Sequence, residues 1–587
     1  YNSALGQSAL YTNTTGSNNT GLGYRALYTN NADSNTAVGY DALFANTTGT
    51  GNHAFGTWSL YSTTTGDHNT AIGRSTLYNN TTGSNNVAVG RNALSAATTA
   101  TGNTAVGYYA MGTGGTTGVN NTSLGYYAGE DITTGTTNNC IGFEAGRTIT
   151  TGSWNIAIGG EALENNSTGS GNVAIGHDSL RNCTVDYNTA LGFQTLSTLS
   201  TGGNNVAIGY QANRALTTGS ANTSIGYEAM EATTTGSNNI AIGYEALASN
   251  TNYSNHTAVG YQALNSCATG QENTAFGSNC MGSMSSGNYN DAFGRDALGS
   301  GTGFGSCCAF GNSALKMNTG DSNCAFGFVA LGANTSGYDN SAFGSQALDA
   351  CTTGIRNTAV GHEALTTITT GDYCTAVGEM ALAAYSGSGA CTAVGRYALR
   401  YCTTGTLNVA LGTDALQGVT TGGNNVGLGH DAGRSNSPGG NITTGSNNII
   451  LGNNDHTYLA CVVSLSVTSD ERDKTDIKDF TPGLSWINKL RPVTYHWDQR
   501  SDYSEDLSVV PDGTHKKSKL NIGLIAQEEM KVEQEHGYGS DRDNMLITEL
   551  SEDGQHYSMK YERLVPILVN AIKELSARVE ELESKSD

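Results

Sequence analysis

A short charged string near residue 470 carries the residue types that nucleophilic chemistry requires. Ser469, Asp470, Arg472 and Lys474 lie within one six-residue string. A serine hydroxyl attacks a carbonyl group efficiently only when a base takes its proton, and a neutral lysine can be that base. Lysine becomes neutral near pH 7 when it is desolvated or lies beside another cation, here Arg472. Because Ser469 and Lys474 are five residues apart, a turn would bring them together.

The same string also has a purely structural interpretation. Ser469 and Asp470 are residue types that cap turns, and Lys474 would then be solvated. The local sequence alone favours this structural interpretation. Asp470, Asp473 and Asp476 also suggest a calcium loop, but the glycine and the terminal glutamate of an EF-hand are absent. We therefore predict no metal and no cofactor at this string.

Three further motifs follow the charged string in order. They are LRPVTY at Leu490–Tyr495, GLIAQE at Gly523–Glu528 and a helical segment at Tyr561–Leu575. With the SDxRxKxxI string of Ser469–Ile477 they extend over nearly all of residues 469–587. This segment resembles the endosialidase-type intramolecular chaperone, the self-cleaving C-terminal domain of phage tailspikes and fibres.

The resemblance makes specific predictions about residues of this chain. It implies that the bond between Thr468 and Ser469 is cut, with Ser469 as nucleophile and Lys474 as base. Asp470 and Arg472 are expected to support this pair. Because all four motifs occur in the correct order, we favour a cleavage site at this string over a purely structural turn. We therefore predict an autoproteolytic serine endopeptidase that cuts itself once.

The last helix, predicted over 561–583, has heptad spacing. Its apolar residues are separated by 3, 4, 3, 4 and 3 positions, with Glu, Lys and Arg between them. A helix that packs on its own domain would show similar spacing, but the charged flanks favour a three-stranded coiled coil. The predicted seam consists of Val565, Leu568, Ile572, Leu575, Val579 and Leu582.

A short repeat fills residues 1–452 and precedes this segment. Its core, Asn-x-Ala-(Val/Ile/Leu/Phe)-Gly, occurs in 27 copies. From Gly6 to Gly429 each interval between repeat glycines is 16, 17 or 18 residues, and the last interval, to Gly452, is 23. The longer step predicts an insertion of about six residues around 435–441. A fixed period of this length is typical of a solenoid.

One copy, NIAIGYEAL at Asn239–Leu247, shows how a coil would form. Side chains alternate along a strand, so Ile240 and Ile242 point to one side and Ala241 to the other. Seventeen residues are too few for a βαβ unit and suit one coil of a parallel β-solenoid. The near-invariant alanine predicts a face that another chain approaches closely.

The repeats resemble the β-roll heads of trimeric autotransporter adhesins and glycine-rich repeats in phage and large-virus fibres. This resemblance implies a homotrimer. We therefore expect an all-β trimeric parallel β-solenoid shaft of 17-residue coils over 1–452 and a connecting strand over 453–468. A small α+β chaperone domain that ends in a coiled-coil helix is expected over 469–587.

Charge and composition exclude several classes of protein. Residues 1–468 contain 12 basic and 25 acidic residues, and residues 469–587 contain 16 and 25, so neither part is basic and no nucleic-acid partner is expected. The sequence contains no apolar run of about 18 residues, so no membrane insertion is expected. The 12 cysteines show no CxxC spacing, which favours buried thiols over a disulfide framework.

The sequence favours a tail or capsid fibre of a virion that attaches to a host or other surface. Its expected partners are a host-surface receptor, with a glycan among the candidates, and an upstream virion attachment protein. One alternative is a bacterial cell-surface adhesin with the same chaperone, located extracellularly. The other is the shaft of a glycan-degrading tailspike whose enzyme domain lies upstream of Tyr1, since the chain begins in mid-repeat.

Tyrosines that follow many repeat glycines form a possible sugar-binding surface. Aromatic rings stack on sugars, but a tyrosine ladder more often serves packing. The packing interpretation is therefore the favoured one for these residues. They are Tyr24, Tyr40, Tyr108, Tyr210, Tyr227, Tyr244 and Tyr261.

Overall fold

The structure, a computed structural model, describes residues 1–456, 458–460, 467–504, 507–551 and 554–586. The chain divides into two units, Tyr1–Ser322 (unit 1) and Asn323–Asp587 (unit 2). The division falls inside the repeats. Unit 1 therefore consists of repeats alone, whereas unit 2 holds the later repeats and the C-terminal segment.

Unit 1, all of whose residues are described, is a parallel β-solenoid. Each coil contributes a three-residue strand that ends just before a repeat glycine and pairs in parallel with the next, as Ile240–Ile242 pairs with Thr257–Val259. Thr269–Gln271 and Ser286–Asn288 form a further parallel pair. The solenoid of 17-residue coils predicted from the repeat is confirmed. The strands of the main sheet are Ser3–Leu5, Thr20–Leu22, Thr36–Val38, His53–Phe55, Thr70–Ile72, Val87–Val89, Thr104–Val106, Thr122–Leu124, Asn139–Ile141, Ile156–Ile158, Val173–Ile175, Thr189–Leu191, Val206–Ile208, Thr223–Ile225, Ile240–Ile242, Thr257–Val259, Thr274–Phe276, Asp291–Phe293 and Cys308–Phe310.

The repeats of unit 2 continue the same pattern through the predicted insertion. Val426 pairs with Ile449, so one coil spans 23 residues without loss of strand register. The extra residues form tight turns, in which Ser437 N donates to Arg434 O at 3.0 Å and Gly440 N to Ser437 O at 3.1 Å. The strands are Cys324–Phe326, Ser341–Phe343, Thr358–Val360, Thr375–Val377, Thr392–Val394, Val409–Leu411, Val426–Leu428 and Ile449–Leu451.

The alanine at the centre of the repeat strand points into the solenoid in every coil that has it after the first, so the expectation that it faces another chain is wrong. Ala241 is 0% exposed, whereas Ile240 and Ile242 are 40% and 37% exposed. The physical reason is the narrow coil interior. Where glycine replaces this alanine at Gly427, an added Cβ would already lie 2.6 Å from Leu416 Cγ. The outward surface is therefore the column of apolar residues that precede the repeat glycines, which we call the apolar column.

A second column, of buried asparagines, connects the coils. The Asn222 side chain donates to Asn205 Oδ1 at 3.1 Å and to the Gly236 carbonyl at 2.9 Å. Its own Oδ1 accepts from the Asn239 backbone N–H at 3.0 Å. Buried polar groups require partners, and here each amide satisfies backbone groups that lie outside the short strands. This role explains why asparagine begins the repeat core.

Four coils place another residue in the asparagine column, namely His256, Cys307, Cys374 and Cys391. The buried His256 has Nε2 2.8 Å from the Gly270 carbonyl, and its Nδ1 accepts from the Asn273 backbone N–H at 3.4 Å. Burial lowers the pKa of His256 below its ordinary value. Nine of the eleven described cysteines are buried. Their burial agrees with the prediction of buried thiols.

Neighbouring coils approach each other closely at the repeat glycine. Gly243 has φ +138°, and a Cβ added there would lie 2.3 Å from the Gly260 carbonyl oxygen. Three other positions of the coil are left-handed, Asn238 at φ 58°, Glu245 at φ 49° and Leu247 at φ 54°. Asparagine tolerates this conformation, but leucine avoids it. Leu247 adopts it because the bend buries its side chain completely and lets its N–H donate to Ala263 O at 2.9 Å.

The C-terminal part of unit 2 is a small α+β domain, as predicted. Its helices are α1 (Leu484–Ile487), α2 (Ala526–Glu535) and α3 (Leu564–Ser584). Val493–Tyr495 pairs antiparallel with Asn521–Gly523, and Thr548–Leu550 pairs antiparallel with Tyr557–Met559. The described 3-10 turns are Glu471–Asp473, Arg500–Asp502, Arg542–Asn544 and Tyr561–Arg563.

Helix α3 has two apolar faces. One face packs on the domain through Leu564, Ile567 and Ala571, which are buried. The predicted seam lies on the other face, and all of its members are exposed, from Leu568 at 44% to Leu582 at 66%. Packing of α3 on its own domain therefore uses a different face of the helix and does not explain the apolar residues of the seam.

The segment before the α+β domain is only partly described. The connecting strand predicted over 453–468 includes residues 457 and 461–466, which lie outside the described residues, and the remaining residues of this range are not in a strand. The connecting strand and the boundary near 468 stay predictions. Among the helices of the described residues, none is both long enough and apolar enough to cross a membrane.

Candidate functional site

The charged string at 469–474 folds as a tight turn. Glu471–Asp473 form one 3-10 turn, and Asp470 caps it by accepting from the Arg472 backbone N–H at 2.9 Å. The Arg472 guanidinium also contacts both Asp470 carboxylate oxygens, the shortest contact being 2.6 Å. This hydrogen-bonded pairing with Arg472 lowers the pKa of Asp470. The capping role foreseen by the structural interpretation therefore belongs to Asp470.

The turn brings the two predicted catalytic side chains together. Lys474 Nζ lies 2.6 Å from Ser469 Oγ and 3.3 Å from the Ser469 carbonyl oxygen. A hydrogen bond of this length is the geometry that a base requires to take a serine proton. Arg472 bonds to Asp470 rather than lying beside Lys474, so the cation expected to favour a neutral lysine is engaged elsewhere. Thr468, Ser469 and Lys474 are all exposed in the single chain.

The three later motifs of the sequence contact one another in the α+β domain. LRPVTY contains the strand Val493–Tyr495, and its Val493 pairs antiparallel with Gly523, the first residue of GLIAQE. Arg491 and Glu528, one from each motif, form an ion pair at 2.5 Å. The Tyr561 hydroxyl, at the start of the last motif, accepts from the Leu524 backbone N–H at 2.9 Å. The motifs are thus adjacent in space as well as ordered in sequence.

The comparison with protein families agrees with this arrangement. Residues 469–538 match the family described as chaperone of endosialidase. The C-terminal segment is a chaperone-of-endosialidase domain. The family implies an autoproteolytic intramolecular chaperone, and the match begins at Ser469. No curated protein matches the chain. The chaperone-of-endosialidase domain thus follows a fibre-like solenoid shaft.

The core of the chaperone-of-endosialidase domain contains carboxylates that the sequence did not single out. The buried Trp486 donates through Nε1 to Glu529 Oε1 at 2.7 Å. Burial raises the pKa of Glu529. Glu533, also buried, accepts from the Thr548 backbone N–H at 3.1 Å and from the backbone N–H of Ile547. Both glutamates lie on α2, so they connect this helix to α1 and to the second strand pair.

Two clusters in the solenoid have metal-ligand chemistry and were missed by the sequence analysis. Glu161, His177 and Asp178 bring three ligand atoms together, and Asp414, His430 and Asp431 do the same. In the first cluster the Arg181 guanidinium lies 2.9 Å from Glu161 and 3.4 Å from Asp178. The guanidinium already compensates the carboxylate charge that would attract a cation.

Proposed function

We propose that this chain is a structural fibre for attachment to a host or other surface, assembled as a homotrimer by its chaperone-of-endosialidase domain. The domain then removes itself by cutting between Thr468 and Ser469. The observation that carries the cleavage proposal is the 2.6 Å contact between Lys474 Nζ and Ser469 Oγ. The preceding solenoid supports the fibre role.

The proposed reaction is an acyl shift followed by hydrolysis. Neutral Lys474 takes the Ser469 hydroxyl proton, and Oγ attacks the Thr468 carbonyl carbon. The peptide C–N bond breaks as the proton passes to the Ser469 nitrogen, which leaves an ester between Thr468 and Ser469 Oγ. Water then hydrolyses the ester to give a Thr468 carboxylate and a free Ser469 amine.

Assembly provides a switch for this reaction. The Ser469–Lys474 pair is exposed in the single chain, and a lysine acts as a base only in its uncharged form. Desolvation favours the uncharged amine, so contact with neighbouring copies would activate the pair. Cleavage would then follow assembly and leave the shaft kinetically stable without its template.

Two exposed apolar surfaces support the homotrimer. The seam of α3 faces solvent in the single chain, and so does the apolar column, in which Leu124 is 47% exposed and Phe343 is 42% exposed. Contiguous exposed apolar surface of this kind marks an interaction surface. Because the alanine face is buried, we assign the contact between copies to the apolar column instead.

Cleavage is tested by denaturing electrophoresis and mass spectrometry of the folded protein. We expect one cut that gives a new N-terminus at Ser469, and we expect Ser469→Ala and Lys474→Ala to abolish it. Lys474→Arg keeps the cation but removes the base, so it should also be inactive. Lys478→Ala, an exposed lysine of the same segment, is the matched control and should cleave normally. An intact wild-type chain after complete folding, or a different new N-terminus, contradicts the proposal.

Attachment is tested by competition. Purified, cleaved shaft should reduce adsorption of the parent particle to its target cells, because it occupies the same receptor. A protein of equal size without the repeats serves as the control. If a large molar excess of correctly assembled shaft leaves adsorption unchanged, the attachment role is refuted while the cleavage proposal stands.

A further inference from the structure

An aromatic ladder on unit 1 ends at an open ring face. Tyr11, Tyr28, Phe44, Tyr61 and Tyr78 lie one coil apart and stack face to face, with ring centroids 5.1–5.3 Å apart. The next coil places Ser95 in the same column. Tyr61 covers one face of Tyr78, and the other face has no ring to stack on.

The open face of Tyr78 borders a cavity of about 300 Å³. Trp58 and Tyr109 also line this cavity, as do the small residues Ser75 and Ser95. Of the seven residues that line the cavity, six are half-buried and Asn79 is exposed. The volume of the cavity lies at the lower end of the range typical of small-molecule sites. We call this cavity the Tyr78 cleft.

Polar groups in the Tyr78 cleft are free to bind a ligand. The side-chain amides of Asn79 and Asn92, which line it, make no hydrogen bond to any residue of unit 1, all of which is described. Ser95 Oγ donates to the Gly112 carbonyl at 2.8 Å and keeps its acceptor capacity. Each free amide offers both a donor and an acceptor, which suits ligands that carry several hydroxyl groups.

The Tyr78 cleft has no charged lining residue. The Arg74 guanidinium lies 5.3 Å from the Trp58 ring centroid but does not line the cleft. An anionic ligand would therefore find no partner within it. Aromatic faces together with amides and hydroxyls fit a pyranose ring, which has an apolar C–H face and a rim of hydroxyls.

We propose that the Tyr78 cleft binds one neutral pyranose unit of a surface glycan, stacked on Tyr78 where the next ring of the ladder would lie. Asn79 and Asn92 bond its hydroxyl groups, and Trp58 and Tyr109 flank it. This inference deepens the proposed attachment function and rests on it, since a fibre that reaches a cell surface meets glycans there.

The test uses the purified, assembled shaft and the methyl glycosides of glucose, galactose, mannose and N-acetylglucosamine as probes. Saturation-transfer NMR should show binding of at least one probe, with a dissociation constant measured by titration. Tyr78→Ala should weaken this binding at least tenfold, about 1.4 kcal/mol. Ser95→Tyr should abolish it, because the new ring continues the ladder and fills the cleft without removing any stacking contact.

Tyr261→Ala is the matched control, because Tyr261 stacks on Tyr244 at 5.3 Å and is followed by Ser278 in its own column. It should bind like the wild type. If no probe binds, or if Ser95→Tyr binds normally, the inference is overturned. Should Tyr78→Ala fail to fold, Ser95→Tyr decides alone.

The result is distinguishable from a failure of the proposed function. A shaft that blocks adsorption but binds no glycoside refutes only the Tyr78 cleft. A shaft that binds a glycoside in a Ser95-dependent way but does not block adsorption refutes the attachment role and leaves the cleft standing.

Discussion

Replacement of one repeat glycine tests how the coils hold together. In Gly243→Ala the new residue would adopt φ +138°, a conformation that costs L-residues about 1–3 kcal/mol. Its Cβ would lie 2.3 Å from the Gly260 carbonyl oxygen, and backbone cannot move aside as a side chain can. The coils must therefore separate locally.

Separation weakens the hydrogen bonds that cross this contact. Gly243 N donates to Ile225 O and Gly260 N donates to Ile242 O, both at 2.8 Å, and each bond contributes about 1 kcal/mol net. Together with the backbone strain, we expect destabilisation of about 4 kcal/mol. Gly115→Ala, where φ is +59° and no atom lies within 4 Å of the added Cβ, should cost only about 1 kcal/mol.

Guanidinium unfolding followed by circular dichroism measures the difference between the two variants. Limited proteolysis with mass spectrometry locates the weakened coil, which we expect close to residue 243, because in a solenoid each repeat contacts only its neighbours. If Gly243→Ala and Gly115→Ala unfold at the same denaturant concentration and rate, the contact between repeat glycines does not limit stability.

Three further predictions concern the columns and the last helix. Since burial lowers the pKa of His256, its stabilising contribution is present above the unfolded pKa of about 6.5 and is lost as the pH falls below it. His256→Asn should reduce the change in the unfolding midpoint between pH 7 and 5, whereas His430→Asn, an exposed control, should leave that change as in the wild type. If the wild type and His256→Asn show the same pH profile, this prediction is wrong. Asn222→Ala leaves the Gly236 carbonyl and the Asn239 N–H without partners. We therefore expect the free energy of unfolding, measured by chemical denaturation, to fall by about 2–4 kcal/mol. A decrease of less than about 1 kcal/mol would show that water replaces the amide. Leu575→Asp, at an exposed seam position of α3, should give a folded monomer by light scattering, and a trimer of normal mass would exclude the seam.

The period of the repeat was sufficient to predict the solenoid, but not which strand face is buried. Alternation along Ile240–Ile242 separates two faces without saying which one points inward. The small residue points inward because Leu247, held in a left-handed conformation, occupies the rest of the coil interior. Hydrophobicity alone would bury the isoleucines, and no local propensity places leucine at positive φ.

In the chaperone-of-endosialidase domain, only contacts between residues close in sequence could be predicted. The five-residue spacing predicted that Ser469 and Lys474 could meet, and the structure places their side chains in contact. The pairing of Trp486 with Glu529 spans 43 residues and depends on how α1 and α2 pack. In the sequence Glu529 lies in a run of charged residues typical of a solvated helix, so no signal indicated its burial.

The asparagine column also affects how the number of repeats can change during the evolution of genes that encode this solenoid. Each asparagine bonds backbone groups, which every coil supplies, and many also bond the asparagine of a neighbouring coil, so removal or duplication of one whole coil leaves equivalent partners in place. Unequal recombination can therefore lengthen or shorten the array in steps of about 17 codons. Insertions of other sizes must be looped out, as in the 23-residue coil between Gly429 and Gly452. We expect related genes to differ in length mainly by whole coils.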